Sequence, residues 1–162
     1  MLPFRKVLAT TDFSETSLEA VPAAAEIAGH FGACLCLLHV LPVDTPTPWD
    51  VPPYADFGLA AIPLPEYEGQ VRSEVERRLG HVAAKHVPGT VTVETMVARG
   101  DPAAEIQRIA RERGVDLIVI ATHGWTGWRH LVFGSVAERV LREAPCAVLS
   151  IRRPGAPPAA AG

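Results

Sequence analysis

The stretch ATHGWTGWRHLVFGSVAERVL, residues 121–141, decides how this chain is interpreted. It follows the apolar run DLIVIA (Asp116–Ala121), which predicts a buried strand, and it ends in Ser135–Glu143, which predicts a helix. Glycine, tryptophan and histidine fill the space between them. The N-terminus of a helix presents unpaired N–H groups and the positive end of a dipole, which suit a phosphate, and Gly134 lets a ligand come close to the backbone. The stretch therefore predicts an anion site where the last helix begins.

Strands and helices alternate along the whole chain, which is typical of parallel strands joined by right-handed crossovers. We therefore expect an α/β fold: a three-layer, open, mostly parallel five-stranded sheet with helices on both faces. We expect one domain over residues 1–152 and a disordered tail over 153–162. The other predicted elements are strands at Lys6–Thr10, Ala33–Val40, Thr90–Val97 and Cys146–Ile151, helices at Ser14 to about His30, Glu66–Val87 and Asp101 to about Arg113, and a proline-rich loop from Leu41 to Pro65.

Composition excludes several classes of protein. The formal charge of −3 argues against a broad basic surface for nucleic acid. The sequence predicts no membrane-spanning segment and no signal peptide, so we expect a cytoplasmic protein with neither nucleic acid nor membrane as partner. The three cysteines lack nearby metal ligands, and we expect Cys34 and Cys36 to be core thiols.

Two loops carry the chemistry. In an open parallel sheet, ligands bind beyond the carboxyl ends of the strands, where the strand order reverses. If the first and fourth strands are neighbours, Thr10, Thr11 and Asp12 face the glycine-rich loop across that point. Asp12 contacts a ligand or caps the next helix; because Ser14 is available as the cap, we favour ligand contact. Ser135 likewise bonds a phosphate or caps its own helix.

The longer pattern resembles the universal stress protein family, whose nucleotide-binding members carry G-x-x-G, nine residues, then G-[S/T]. The matching segment here is Ala121-Thr122-His123-Gly124, then WTGWRHLVF, then Gly134-Ser135. LATTDFSETS near the start, LLHV after the second strand and VAERVLREAPCAVLSI near the end are similar to the family as well. One departure is that Ala121 stands where the family has its first glycine, so its methyl group is expected to crowd a ribose if one packs there.

The resemblance implies a Rossmann-like fold of the adenine nucleotide hydrolase type, which binds ATP, AMP or ADP. It implies that Asp12 contacts ribose hydroxyls or a Mg²⁺ ion, that backbone groups of Val40 contact the adenine edge, and that glycines and the last helix hold phosphates. It also implies a homodimer through the strand Cys146–Ile151. The implied nucleotide site consists of Thr10, Thr11, Asp12, Val40, Ala121, Thr122, His123, Gly124, Gly134, Ser135 and Val136.

The leading hypothesis is an ATP-binding regulatory or stress-response homodimer, not an enzyme, with slow or no hydrolysis. A P-loop enzyme needs lysine beside its glycines, and the only lysines are Lys6 and Lys85. The alternatives are a dimeric interaction protein of the same fold without nucleotide, and a flavodoxin-like carrier. For His123, phosphate contact and a bond within its own loop stay open. Trp125 and Trp128 are expected to cover the core, Arg129 to be solvated, and His39 to be a core histidine.

Overall fold

The computed structural model describes residues 3–43, 64–122 and 134–152. Within them strands and helices alternate, and all strand pairings are parallel. The strands are β1 (Lys6–Thr10), β2 (Cys34–Leu41), β3 (Val93–Arg99), β4 (Leu117–Ala121) and β5 (Ala147–Ile151). The helices are α1 (Glu15–Phe31), α2 (Leu64–His86), α3 (Pro102–Arg113) and α4 (Ser135–Glu143).

The strand order is β3-β2-β1-β4-β5, so β1 and β4 are neighbours in the middle of the sheet, as the sequence predicts. Val7 of β1 pairs with Leu35 of β2 on one side and with Leu117 of β4 on the other. The α/β fold and the five-stranded parallel sheet are thereby confirmed. The predicted tail, 153–162, lies outside the described residues.

Two hydrophobic cores cover the two faces of the sheet. Alternate residues of each strand point to opposite faces. Val7 and Ala9 of β1 belong to the core that includes α1 and α2, whereas Leu8 belongs to the core that includes α3 and α4. This alternation decides on which face every side chain at the strand ends lies.

Helix boundaries follow from local capping chemistry. Ser14 accepts a hydrogen bond from Ser17 N–H at the start of α1, and Asp101 accepts one from Ala104 N–H at the start of α3. Gly32 and Gly114 end these helices in the left-handed conformation that glycine adopts without strain. No described helix is long and apolar enough to cross a membrane.

Three predicted boundaries are wrong. β3 begins at Val93 rather than at Thr90, because Val91 N–H donates to Pro88 C=O at 2.9 Å and this turn precedes the sheet. α2 begins at Leu64, inside the predicted proline loop, because the missing N–H of Pro65 costs nothing in the first turn of a helix. β3 also ends two residues later than predicted, at Arg99 rather than Val97, and the remaining boundaries differ from the prediction by at most one residue.

Candidate functional site

A cleft of about 470 Å³ opens where the carboxyl ends of β1, β2 and β4 meet the N-termini of α3 and α4. The sequence predicts eleven site residues, and all of those that the structure describes line this cleft. They are Thr10, Thr11, Asp12, Val40, Ala121, Thr122, Gly134, Ser135 and Val136. His123 and Gly124, and with them Trp125, Trp128 and Arg129, lie outside the described residues.

The N-cap residue of α4, Gly134, supplies no side-chain cap to the first turn of the helix, which faces the cleft. Gly134 is the N-cap residue and has no side chain to accept from the first N–H groups, in contrast to Ser14 and Asp101 at α1 and α3. Ser135 is the first helical residue rather than the cap, so the interpretation of Ser135 as a cap is wrong. The positive end of the α4 dipole therefore points into the cleft with backbone donors available to an anion.

Glycine at position 134 is favoured by a close approach rather than by its conformation. Its φ of −65° and ψ of 147° suit any residue. Gly134 N–H donates to the Thr122 carbonyl at 2.6 Å, and a Cβ atom built on Gly134 would lie 3.3 Å from that same oxygen. The end of β4 and the start of α4 are thus joined closely at the floor of the cleft.

The loop after β1 is fixed by its own hydroxyl groups. Thr11 and Ser17 are buried, and their hydroxyl oxygens lie 2.9 Å apart. Phe13 N–H donates to Thr11 Oγ1 at 2.9 Å, and Asp12 N–H donates to Ser17 Oγ at 3.2 Å. These hydroxyls are therefore engaged within the protein and hold Asp12 at the rim of the cleft.

The Asp12 carboxylate is exposed and charged. Its Oδ1 accepts from Ser14 N–H at 3.0 Å, so it orders the cap residue of α1 while Ser14 itself caps the helix. Burial raises the pKa of Asp12, but hydrogen bonds from Ser14 and Ser17 outweigh it and hold that pKa below its ordinary value. A carboxylate has room for several donors, so Asp12 can accept further hydrogen bonds from a ligand.

The Val40 backbone faces the cleft rather than β3. Leu38 C=O accepts from Thr11 N–H on the β1 side, whereas Leu41 C=O accepts from Gly100 N–H on the β3 side. Because backbone groups alternate in direction along a strand, the N–H and C=O of Val40 point the same way as those of Leu38. β1 ends at Thr10, opposite Leu38, so beyond that point these groups face the cleft.

Ala121 does not place its methyl group on the α4 side of the sheet. It packs against the core formed with α1 and α2, whereas its neighbour Ile120 belongs to the core formed with α3 and α4. The departure from the glycine pattern therefore adds a methyl group on the face away from the first turn of α4.

The apolar wall of the cleft was not predicted from the sequence. Pro102 and Ile106 of α3 line it together with Leu38, Ile120 and Ala137. The short connection from β3 through Gly100 and Asp101 was the available signal, because it must start α3 at the carboxyl edge of the sheet. Among the residues that the structure describes, no group of three or more His, Cys, Asp or Glu could hold a metal ion.

Comparison with known proteins gives a consistent result. Residues 3–152 match the model of the universal stress protein family. The chain is 35% identical over 156 residues to universal stress protein MJ0531 of Methanocaldococcus jannaschii, with 93% of this chain and 84% of that protein covered. Among solved structures, MJ0577 has a TM-score of 0.69 at 25% identity and covers 93% of this chain and 96% of its own. A universal stress protein in complex with cAMP has a TM-score of 0.62 at 21% identity, covering 92% and 97%.

Proposed function

The chain belongs to the universal stress protein family, and from this premise we propose that it binds an adenine nucleotide, ATP foremost, in the cleft at the carboxyl ends of β1, β2 and β4. In this proposal it acts as a regulatory or stress-response homodimer that hydrolyses ATP slowly or not at all. The observation that carries the proposal is the first turn of α4, which receives no side-chain cap from its N-cap residue Gly134 and opens into the cleft. The backbone of Val40 at the end of β2 lines the opposite end of this cleft.

The dimensions and donors of the cleft fit a nucleotide. Its volume of about 470 Å³ lies in the range of small-molecule sites. The N–H groups of Ser135 and Val136 are placed for phosphate oxygens, and a Cβ atom at position 134 would lie only 3.3 Å from the Thr122 carbonyl oxygen beside them. At the other end, the N–H and C=O of Val40 offer a donor and an acceptor to a purine edge. The solved family member that holds cAMP supports the view that the fold accommodates an adenine nucleotide.

Asp12 lies at the rim of the cleft, beside the loop that follows β1. Its charged carboxylate suits ribose hydroxyl groups, which are hydrogen-bond donors. It also suits Mg²⁺, which proteins hold through one or two carboxylates together with substrate phosphates. A magnesium ion would therefore be held by Asp12 and the phosphates rather than by a metal cluster of the protein.

Among the residues that the structure describes, the cleft offers little of the machinery that ATP cleavage uses. Lys6 lies at the start of β1, at the end of the strand away from the cleft, where its Nζ donates to Arg113 C=O at 2.7 Å. Lys85 is in the last turn of α2. Neither lysine can reach phosphates at α4, so the positive charge that stabilises phosphoryl transfer in P-loop enzymes has no lysine counterpart here.

A homodimer through β5 is supported by the character of the two sheet edges. β3, one edge, exposes Glu94, Thr95 and Arg99. β5, the other edge, is AVLSI, and its Leu149 is 37% exposed. An apolar edge strand needs to be covered, and pairing with a second copy covers it.

The flavodoxin-like alternative loses support from the loop after β1. A flavin phosphate would need the hydroxyls of that loop, but Ser14 caps α1 and Thr11 bonds with Ser17 and Phe13. The alternative of an interaction protein without nucleotide rested on the extra methyl group of Ala121. That methyl group packs on the face of the sheet covered by α1 and α2, away from the first turn of α4. Adenine nucleotide binding therefore remains the favoured function.

Native mass spectrometry of freshly purified protein, followed by calorimetric titration with ATP, AMP and FMN, tests the proposal. We expect a dimer mass, binding of the adenine nucleotides, no binding of FMN, and phosphate release slower than about 1 per second, at the low end of enzyme turnover. A monomer that binds none of the adenine nucleotides at millimolar concentration would overturn both parts of the proposal.

A further inference from the structure

Phe13 has a backbone conformation that aromatic residues seldom adopt. Its φ is 64°, and among the residues that the structure describes no other residue except glycine has a positive φ. A bulky side chain is rare in this left-handed region, so the surrounding contacts must hold it there. Phe13 lies between Asp12 and Ser14, whose N–H donates to Asp12 Oδ1 at 3.0 Å, so the conformation of Phe13 fixes the turn in which this carboxylate is held.

The Phe13 ring is held between two side chains from other elements. On one face it stacks on the His39 ring of β2, with centroids 4.5 Å apart and planes at 29°. On the other face the Arg78 guanidinium of α2 lies 4.1 Å from the ring centroid, which is a cation–π contact. His39 is itself fixed, because its Nδ1–H donates to the Thr11 carbonyl at 2.8 Å. The stack Arg78–Phe13–His39 thus joins α2, the loop and β2.

We propose that the stack Arg78–Phe13–His39 positions Asp12 for the ribose hydroxyl groups, which makes Phe13 and Arg78 positioning residues for nucleotide binding. This inference rests on the proposed function. His39 lines the cleft, whereas the α2 helix that supplies Arg78 packs on the opposite face of the sheet. α2 therefore contributes to ligand recognition through Phe13 without touching the ligand.

The neighbouring residue on α2 offers a matched control. Arg77 and Arg78 are both exposed and carry the same charge, but Arg77 pairs with Glu74 at 2.7 Å whereas Arg78 lies over the Phe13 ring. Alanine is a good helix former, so neither substitution should disturb α2. A difference between the two variants therefore reports on the contact with Phe13.

The test compares ATP with 2′,3′-dideoxy-ATP by calorimetric titration. The two nucleotides differ only in the ribose hydroxyls, so effects of charge on the phosphates cancel in the ratio of their dissociation constants. We expect the wild type to favour ATP by at least about tenfold, the gain from hydrogen bonds to a carboxylate. Arg78→Ala should reduce the ratio about two- to fivefold, the strength of an exposed cation–π contact, and Phe13→Ala should reduce it further.

Three outcomes separate the inference from the proposed function. Arg77→Ala and Arg78→Lys should keep the wild-type ratio, since the first leaves the stack intact and the second keeps a cation over the ring. A wild-type ratio in Arg78→Ala, or no discrimination by the wild type, overturns the inference and leaves nucleotide binding intact. A wild type that binds neither nucleotide overturns the proposed function, and the inference falls with it.

Discussion

Replacing Gly134 with serine and with alanine separates helix capping from nucleotide binding at the start of α4. The backbone there, φ −65° and ψ 147°, suits both residues, and the Cβ atom of each meets the Thr122 carbonyl at 3.3 Å. The steric effect is therefore common to the two variants. Only the serine hydroxyl can accept from the first-turn N–H groups, as Ser14 does from Ser17 N–H at 3.1 Å in α1.

The serine cap should stabilise the protein without nucleotide and should weaken its binding of ATP. A serine N-cap is worth about 1 kcal/mol over alanine. Without nucleotide, Gly134→Ser should therefore melt about 2–4 °C above Gly134→Ala. Phosphate must displace that cap to reach the same N–H groups, so the same 1 kcal/mol should make ATP binding about fivefold weaker in Gly134→Ser than in Gly134→Ala.

Thermal unfolding without nucleotide and calorimetric titration with ATP measure the two quantities. Both variants should bind ATP more weakly than the wild type, because the added Cβ crowds the Thr122 carbonyl at the floor of the cleft. This prediction fails if Gly134→Ser is the more stable variant and yet binds ATP as tightly as Gly134→Ala. In that case the phosphate does not use the amides that the hydroxyl caps.

Three further predictions concern single residues of the cleft and its rim. Asp12→Asn keeps an acceptor for Ser14 N–H but loses the charge, so ATP affinity measured by calorimetry should fall roughly tenfold with little change in melting temperature. Unchanged affinity would mean that Asp12 only orders the start of α1. Ala121→Gly should alter the ATP dissociation constant by less than about twofold, because the methyl group lies away from α4, and a tenfold gain would contradict this. Burial lowers the pKa of His39 below its ordinary value of 6.5, although the Thr11 carbonyl and Asp12 raise it. The unfolded chain therefore takes up the proton first, so this contribution to stability is present above about pH 6.5 and is lost as the pH falls through the folded pKa. Urea unfolding at pH 7.5 and 5 should show a smaller loss for His39→Gln than for the wild type, and equal losses would argue against it.

The sequence predicts those parts of the fold that local chemistry determines. Asp101, Pro102 and Gly114 define α3 because a cap, a first-turn proline and a left-handed glycine each act within a few residues. The predicted start of β3 at Thr90 was wrong because β-branched residues continue through the turn that precedes the strand. Only pairing with β2, which begins at Val93, decides where the strand begins. The start of α2 was wrong because proline is compatible with the first turn of a helix.

The candidate site divides in the same way. Asp12 and Gly134 could be predicted because they follow β1 and precede α4, so the topology brings them to one edge of the sheet. Pro102 and Ile106 could have been predicted from the short β3–α3 connection. The stack of Arg78, Phe13 and His39 could not, because it depends on how α2 packs against the sheet.

In the proposed complex, the first turn of α4 holds phosphate while the end of β2 holds adenine. A crystal structure of the protein with millimolar ATP tests it most directly. We expect phosphate oxygens at about 2.7–3.1 Å from the backbone nitrogens of Ser135 and Val136, with the purine edge hydrogen-bonded to Val40. A cleft filled by the protein's own side chains, with the purine bound away from β2, would contradict it.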